Sequence, residues 1–191
     1  LTLPFEDYLM TAPFSPTTRA GTAIRHFRKD RGGSAAVQFA FIAPLFFALL
    51  FAIIESSMVF FAGQILESGT ADSARLFLTH QAQDTNMTRE DFKKDLCGRV
   101  SMLFDCSKLV VSVKAYPAGT AIPAPDLAPP ISGGAFVDNS TYEMGPPESM
   151  MVIRAFYQWP LFVTGLGFNM ADLADSKKLL AATAAFRVEP N

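Results

Sequence analysis

The sequence predicts an α+β protein in which a long N-terminal transmembrane helix extends into a small antiparallel sheet domain. Three observations lead there. One charge-free run covers Ala35 to Ile54, a cluster of basic residues lies on its N-terminal side alone, and three strand-like segments follow only after residue 108. Composition agrees. Charged residues make up 18 % of the 191, below the quarter typical of soluble chains, and there are 18 Phe against one Trp and four Tyr. Such a chain is too apolar to be disordered. With 16 Lys+Arg against 18 Asp+Glu it lacks the basic face of a general nucleic-acid binder, so no nucleic-acid partner is expected. Two His and two Cys leave little material for a structural zinc site, which takes four ligands, and no cofactor is expected.

Residues 1–33 read as a basic, largely disordered cytoplasmic leader, Pro- and Thr-rich at its start. The chain opens on Leu1, which fits a fragment, an alternative start codon or initiation at Met10. Residues 34–55 read as the transmembrane helix. Its core, Ala35–Ile54, holds six Ala, five Phe, three Leu, three Ile, one Val, one Pro and Gln38. Twenty helical residues span about 30 Å, the thickness of a bilayer's hydrocarbon core. A buried helix of a soluble protein is the competing explanation, but such helices rarely run this long without a charge. The flanks decide. Arg19, Arg25, Arg28, Lys29 and Arg31 precede the run, whereas the first basic residue after it is Arg75. This asymmetry places the N-terminus in the cytoplasm and the remainder across the membrane. A signal peptide shares that polarity, but its apolar core is 7–15 residues and ends at an A-x-A-like site. The longer run here, with no such site closing it, predicts a retained anchor.

Within the anchor, Ala36, Ala40, Pro44, Ala48, Ala52 and Ser56 recur every four residues, all small or ring-compact. The row predicts a groove for close packing of another helix. Pro44 frees the carbonyl of Ala40 and should bend the helix there.

Residues 56–191 read as a periplasmic α+β domain. From Glu55 onward the chain carries 11 basic and 15 acidic groups, net −4, and is long enough for its own core. Ser56 to about Gln81 continues the helix, with Met58, Phe61, Ile65 and Leu76 as its apolar stripe, interrupted by Gly69 and Asp72. Thr88 is a candidate N-cap, with Asp91 three residues on and a short helix through Arg99. Strands are predicted at Leu109–Tyr116, Met150–Tyr157 and Leu179–Val188. Pro117–Gly134 holds five Pro and three Gly and reads as a long loop.

Cys97 and Cys106 fall on the side predicted to be oxidising, where a disulfide is the favoured reading. Two buried free thiols, or one catalytic thiol, are the alternatives. A catalytic thiol needs a base, and the only outer histidine, His80, has no spacing that links it to either Cys. Asp91 and Asp95 read as a solvated helix face, and Asp172 and Asp175 before Lys177-Lys178 lack any EF-hand-like pattern. Thr164-Gly165-Leu166-Gly167 lacks the Lys and helix of a phosphate loop, and Trp159-Pro160 reads as packing. The chain is therefore not expected to be an enzyme.

Arg31-Gly32-Gly33-Ser34-Ala35-Ala36-Val37-Gln38-Phe39-Ala40, followed by Phe41-Ile42-Ala43-Pro44-Leu45, resembles the N-terminus of TadE-like proteins of the tight-adherence (Flp-type) pilus systems. Weaker echoes follow at Ser73-Ala74-Arg75, at Cys106 before Leu109–Val113, at Tyr157-Gln158-Trp159-Pro160-Leu161 and at Glu189-Pro190. The resemblance implies a pilin-like shape and a membrane-anchored minor pilin or pilus-assembly component of the bacterial inner membrane. Its implied partners are membrane lipid, other pilin-like or pilus-assembly subunits and a prepilin-type peptidase. It also implies a processing site after Gly33, between Gly33 and Ser34, with Glu at the fifth mature position. Here that position is Gln38. A Glu at bilayer depth costs about 2.5–3.5 kcal/mol and needs a partner. In pilins that partner is the free amine of the preceding subunit. Gln38 removes both the cost and the attraction. The alternative is a single-pass periplasmic adaptor or binding module that never enters a filament.

Overall fold

The computed structural model describes residues 33–163 and 169–190, with the backbone alone described for Ser34. The basic leader up to residue 32 and Thr164-Gly165-Leu166-Gly167 lie outside the described residues. The chain divides into two units, Leu1–Phe47 and Ala48–Asn191. In the first, the described residues are Gly33 and the opening of a helix, whose described side chains are exposed except for the half-buried Ala43.

That helix, α1, runs over Ser34–Leu78, 45 residues with Pro44 inside it. Its hydroxyl residues satisfy themselves against the preceding turn: Ser56 Oγ donates to Ala52 O at 2.8 Å, Ser57 to Ile53 at 2.8 Å and Thr70 to Leu66 at 2.7 Å. The outer part of α1 buries Val59, Ala62, Leu66, Thr70, Ser73, Ala74 and Phe77. Only half of the predicted stripe, Ile65 and Leu76, packs against the core. Met58 is 43 % exposed and Phe61 57 %, while Ile65 and Leu76 are only half-buried. The face that packs mixes the large side chains of Leu66 and Phe77 with small ones, Ala62 and Ala74, which let the backbone approach its neighbours closely. Gly69 does not interrupt it: a Cβ there would meet Val100 Cγ1 at 2.6 Å and Leu96 Cδ1 at 3.4 Å.

Helix α1 ends three residues before the predicted Gln81. His80, at φ 62°, turns the chain into a single turn, α2 (Gln81–Asp84). Helix α3 covers Arg89–Val100 under the predicted N-cap, Thr88. Asp91 N–H donates to Thr88 Oγ1 at 3.2 Å while Thr88 N–H donates back to the Asp91 carboxylate at 3.2 Å, a complete capping box. Phe92, Leu96 and Val100 form its buried face.

A three-stranded antiparallel sheet follows, ordered β1-β4-β5, with β1 at Val110–Tyr116, β4 at Met150–Pro160 and β5 at Lys177–Arg187. The register pairs Val113 with Ile153 and Ala155 with Ala182. All three strands fall where the sequence predicts them, within a few residues at each end. The odd-numbered residues Met151, Ile153, Ala155 and Tyr157 of β4 join the core that α1 and α3 supply. Phe156, from the other face, packs with Leu173 and Leu179, flanked by Val110, Ile131 and Phe136. The central strand is thus covered on both faces.

Part of that second cover comes from the Pro-rich segment, which is more than a loop. It forms one helical turn, α4 (Ala124–Leu127), then β2 (Ile131–Ser132), which pairs with β3 (Ala135–Phe136). Gly133 and Gly134 connect the two with φ of 58° and 75°, the double left-handed turn that favours glycine.

Tyr142 closes the outer edge of β1 through a bridge to Val113, and its hydroxyl donates to Met87 O at 2.8 Å. Burial first, then the negative charges of Asp91 and Glu90, push its phenol up to about 12. An unfolded tyrosine titrates near 10. The native state therefore binds the extra proton between about pH 10 and 12, and stability falls as pH rises through that window. Thermal unfolding scanned across it should show a fall that is shallower in Tyr142→Phe. Parallel curves for the two proteins would show that the phenol is not responsible.

Candidate functional site

The candidate site is the anchor end of the chain, and its residues sit on one helix. Gly33 is exposed and leads into α1, Ser34 is the first residue of α1, and Gln38 is exposed one turn later. Ala36, Ala40 and Pro44 are exposed, whereas Ala48, Ala52 and Ser56 are half-buried. The Ser56 hydroxyl lies 3.6 Å from Met170 Sδ of the same chain. The row of small residues is thus open along its first half and partly covered at its outer end.

Glu55 closes the span. It is the one ionisable residue between Arg31 and Glu67, and it is 8 % exposed. Its carboxylate accepts the backbone N–H of Phe162, and that of Val163 at 3.0 Å and 3.1 Å. Two charge-assisted hydrogen bonds make this burial tolerable. Sequence reasoning used Glu55 only as the end of the apolar run. Its isolation within 35 residues was the signal that it has a job.

Cys97, in the last turn of α3, is bonded to Cys106, which opens a 3-10 turn at Cys106–Lys108. Both cysteines of the chain are used, which removes the thiol nucleophile considered above. His80 Nε2 lies 2.6 Å from Glu189 O, a structural contact to the end of the chain. Asp91 serves the capping box and Asp95 pairs with Arg99 at 3.1 Å. Asp172 pairs with Lys178 at 2.9 Å and accepts the N–H of Leu179 at 2.7 Å, so the Asp172–Lys178 segment is an ion-paired turn. Among the described residues no three His, Cys, Asp or Glu cluster as metal ligands would. Trp159 packs edge-on against Phe104 at 5.8 Å, as its neighbour Tyr157 does at 4.9 Å.

One polar cluster was missed. Arg154, on the outer face of β4, donates to the carbonyls of Asp126 at 2.7 Å, Leu127 at 3.1 Å and Ala128 at 3.1 Å. The Asp126 carboxylate accepts from Lys114 Nζ at 2.8 Å and from the Tyr116 hydroxyl at 2.7 Å. Those two bonds hold its carboxyl below the usual carboxylate range. Burial lowers the Arg154 guanidinium and raises the Tyr116 phenol. The small cavity beside them, about 60 Å³, is lined by Lys114, Tyr116, Asp126 and Arg154 and also by Ser112, Asn139 and Thr141. Lys114, Tyr116 and Arg154 thus reach from the sheet to the α4 turn, and the cluster acts as a strap that pins the Pro-rich segment to the sheet.

What remains is a helix long and apolar enough to cross a membrane, the only such helix among the described residues. Residues 33–75 match the family model of the TadE-like protein. No curated protein and no solved structure matches the chain at a significant level. The TadE-like match covers the exposed apolar part of α1 and most of its buried face, and it stops two residues before Phe77. It covers Gly33, Gln38 and Pro44, three of the residues that carry the resemblance.

Proposed function

We propose that this chain is a single-pass component of the tight-adherence pilus machinery, working through helix packing and protein contacts rather than catalysis. The observation that carries this reading is the TadE-like match, which lies over an apolar helix whose membrane-length part is exposed. The N-terminus is cytoplasmic, the helix crosses the bacterial inner membrane, and residues 56–191 are periplasmic. The exposed first half of the small-residue row, Ala36, Ala40 and Pro44, receives the helix of another pilin-like subunit. A prepilin-type peptidase cuts after Gly33, which is exposed at the helix start. As a minor pilin at the tip or base of a filament, the subunit needs no acidic group at its fifth mature position, and Gln38 costs it nothing.

Gln38 also favours a second reading, a membrane-held adaptor that keeps its leader and stays out of the filament. The N-terminus of the protein purified from membranes separates the two. Mature chains beginning at Ser34, and loss of pili on replacing Gly33, support the minor pilin. An intact Gly33–Ser34 bond in cells that make working pili would end that reading. A periplasmic reporter should be active after Asn191 and silent before Arg19; the reverse would overturn both readings.

A further inference from the structure

The segment that Glu55 holds carries a second membrane contact. Leu161 is 7 % exposed and its N–H donates to Ser176 O at 2.9 Å, while the next two N–H groups are bound by the Glu55 carboxylate. Phe162 is therefore held at both sides, yet the residue is 87 % exposed. An exposed phenylalanine on a slack loop means little; one on a pinned backbone has been presented. No charge occurs anywhere from Ala155 to Val163, and Trp159, of the residue type that collects at membrane interfaces, is three positions away.

Placement names the occupant. Glu55 is the first residue after the charge-free run, so the tether sits where the helix reaches the hydrocarbon boundary. The surface of α1 beside it is exposed and apolar at Ile54 and Met58, and this apolar surface continues to Phe61, about 9 Å further along the axis. That distance is comparable to the depth of the headgroup layer. We propose that Phe162 inserts into the outer leaflet of the bilayer at its headgroup–acyl boundary, giving the chain a second, interfacial anchor beside α1. The inference rests on the reading that α1 spans the membrane. Glu55 is then a positioning residue: by taking the loop's amides it spares them an unpaired place at the membrane surface.

The test uses the full chain in phosphatidylcholine–phosphatidylglycerol vesicles, at fewer than one protein per vesicle so that a second copy cannot cover the ring. Trace phospholipids carry a photoreactive diazirine, either near the glycerol end or at the tip of the acyl chain. Shallow probes should label the peptide containing Phe162, and deep probes should label Ala35–Ile54. Labelling of the helix without the Phe162 peptide overturns the inference and leaves the spanning reading intact; labelling of neither overturns both. A second arm moves the single tryptophan, pairing Trp159→Phe with Phe162→Trp, with the Cys97–Cys106 bridge checked as evidence of folding. Lipids brominated near the headgroup should remove most of its emission. Shielding from aqueous acrylamide without bromolipid quenching would mean that protein covers the site, and would sink the proposal.

Discussion

Phe77→Ala is expected to lower the stability of the outer unit by about 3–5 kcal/mol, a large share of the 5–15 kcal/mol typical of a folded domain. Phe77 is fully buried and stands one residue before the end of α1. Its ring meets Phe92 of α3 edge-on at 5.2 Å and Tyr142 at 6.2 Å. It thus joins α1, α3 and the segment that closes the edge of β1. Removing it leaves a cavity lined by two other rings, neither of which can collapse without leaving its own neighbours. Phe77→Leu keeps most of the volume and should cost much less. Denaturant unfolding of the full chain in detergent, followed by far-ultraviolet circular dichroism, measures both. An alanine variant within 1 kcal/mol of wild type would show that the helix is held mainly by its small residues (about one buried methylene's worth).

Loss of the bridge ranks next. Replacing both Cys97 and Cys106 with Ser should cost about 2–3 kcal/mol, the chain-entropy value for so short a loop. The nine-residue separation ties the last turn of α3 to the entrance of β1. Inside that loop Phe104 is buried against Tyr157. Opening it frees the ring that packs beside Trp159. Wild-type protein treated with a reductant should unfold at the denaturant midpoint of the double variant, and the double variant should ignore the reductant. The bridge also reports location, since such bonds persist on the oxidising side of a membrane. Quantitative alkylation of both thiols in protein taken straight from cells would contradict the periplasmic assignment of this unit.

The anchor, α3 and all three long strands were legible because each rests on local chemistry. A charge-free run, a Thr-x-x-Asp cap and alternation along a strand announce themselves within a dozen residues. The packed face of α1 was not legible for the opposite reason. Hydrophobicity pointed to Met58 and Phe61, but those side chains stay exposed, and the buried face includes Ala62, Gly69 and Ala74, whose virtue is small size. Only the partner surface, Leu96 and Val100 on α3, reveals that. Likewise nothing local in Pro117–Gly134 says that it will cover the second face of β4. Arg154 sits 26 to 28 residues from the carbonyls it gathers, and pairing over that distance leaves no periodic trace. Glu55 was visible as an isolated charge, but its partners lie 107 and 108 residues away.

Those separations set an order in time. In the proposed topology the chain crosses the membrane from α1 outward, so the helix is in place before any strand exists. Its carboxylate at Glu55 must then wait for more than a hundred further residues before an amide arrives to meet it. Strand β4 can pair with β1 as soon as it emerges, but its eleven partners in β5 come last. After them Val188 enters the core and the N–H of Glu189 reaches back to Leu78 O at 3.5 Å. Until that final strand has crossed, Leu180, Ala182 and Val188 are missing from the core to which α1 contributes Ala62, Leu66 and Ala74. Throughout that interval β4 is paired along one edge only, and the eleven residues that β5 will meet leave their other edge open to any strand that arrives first.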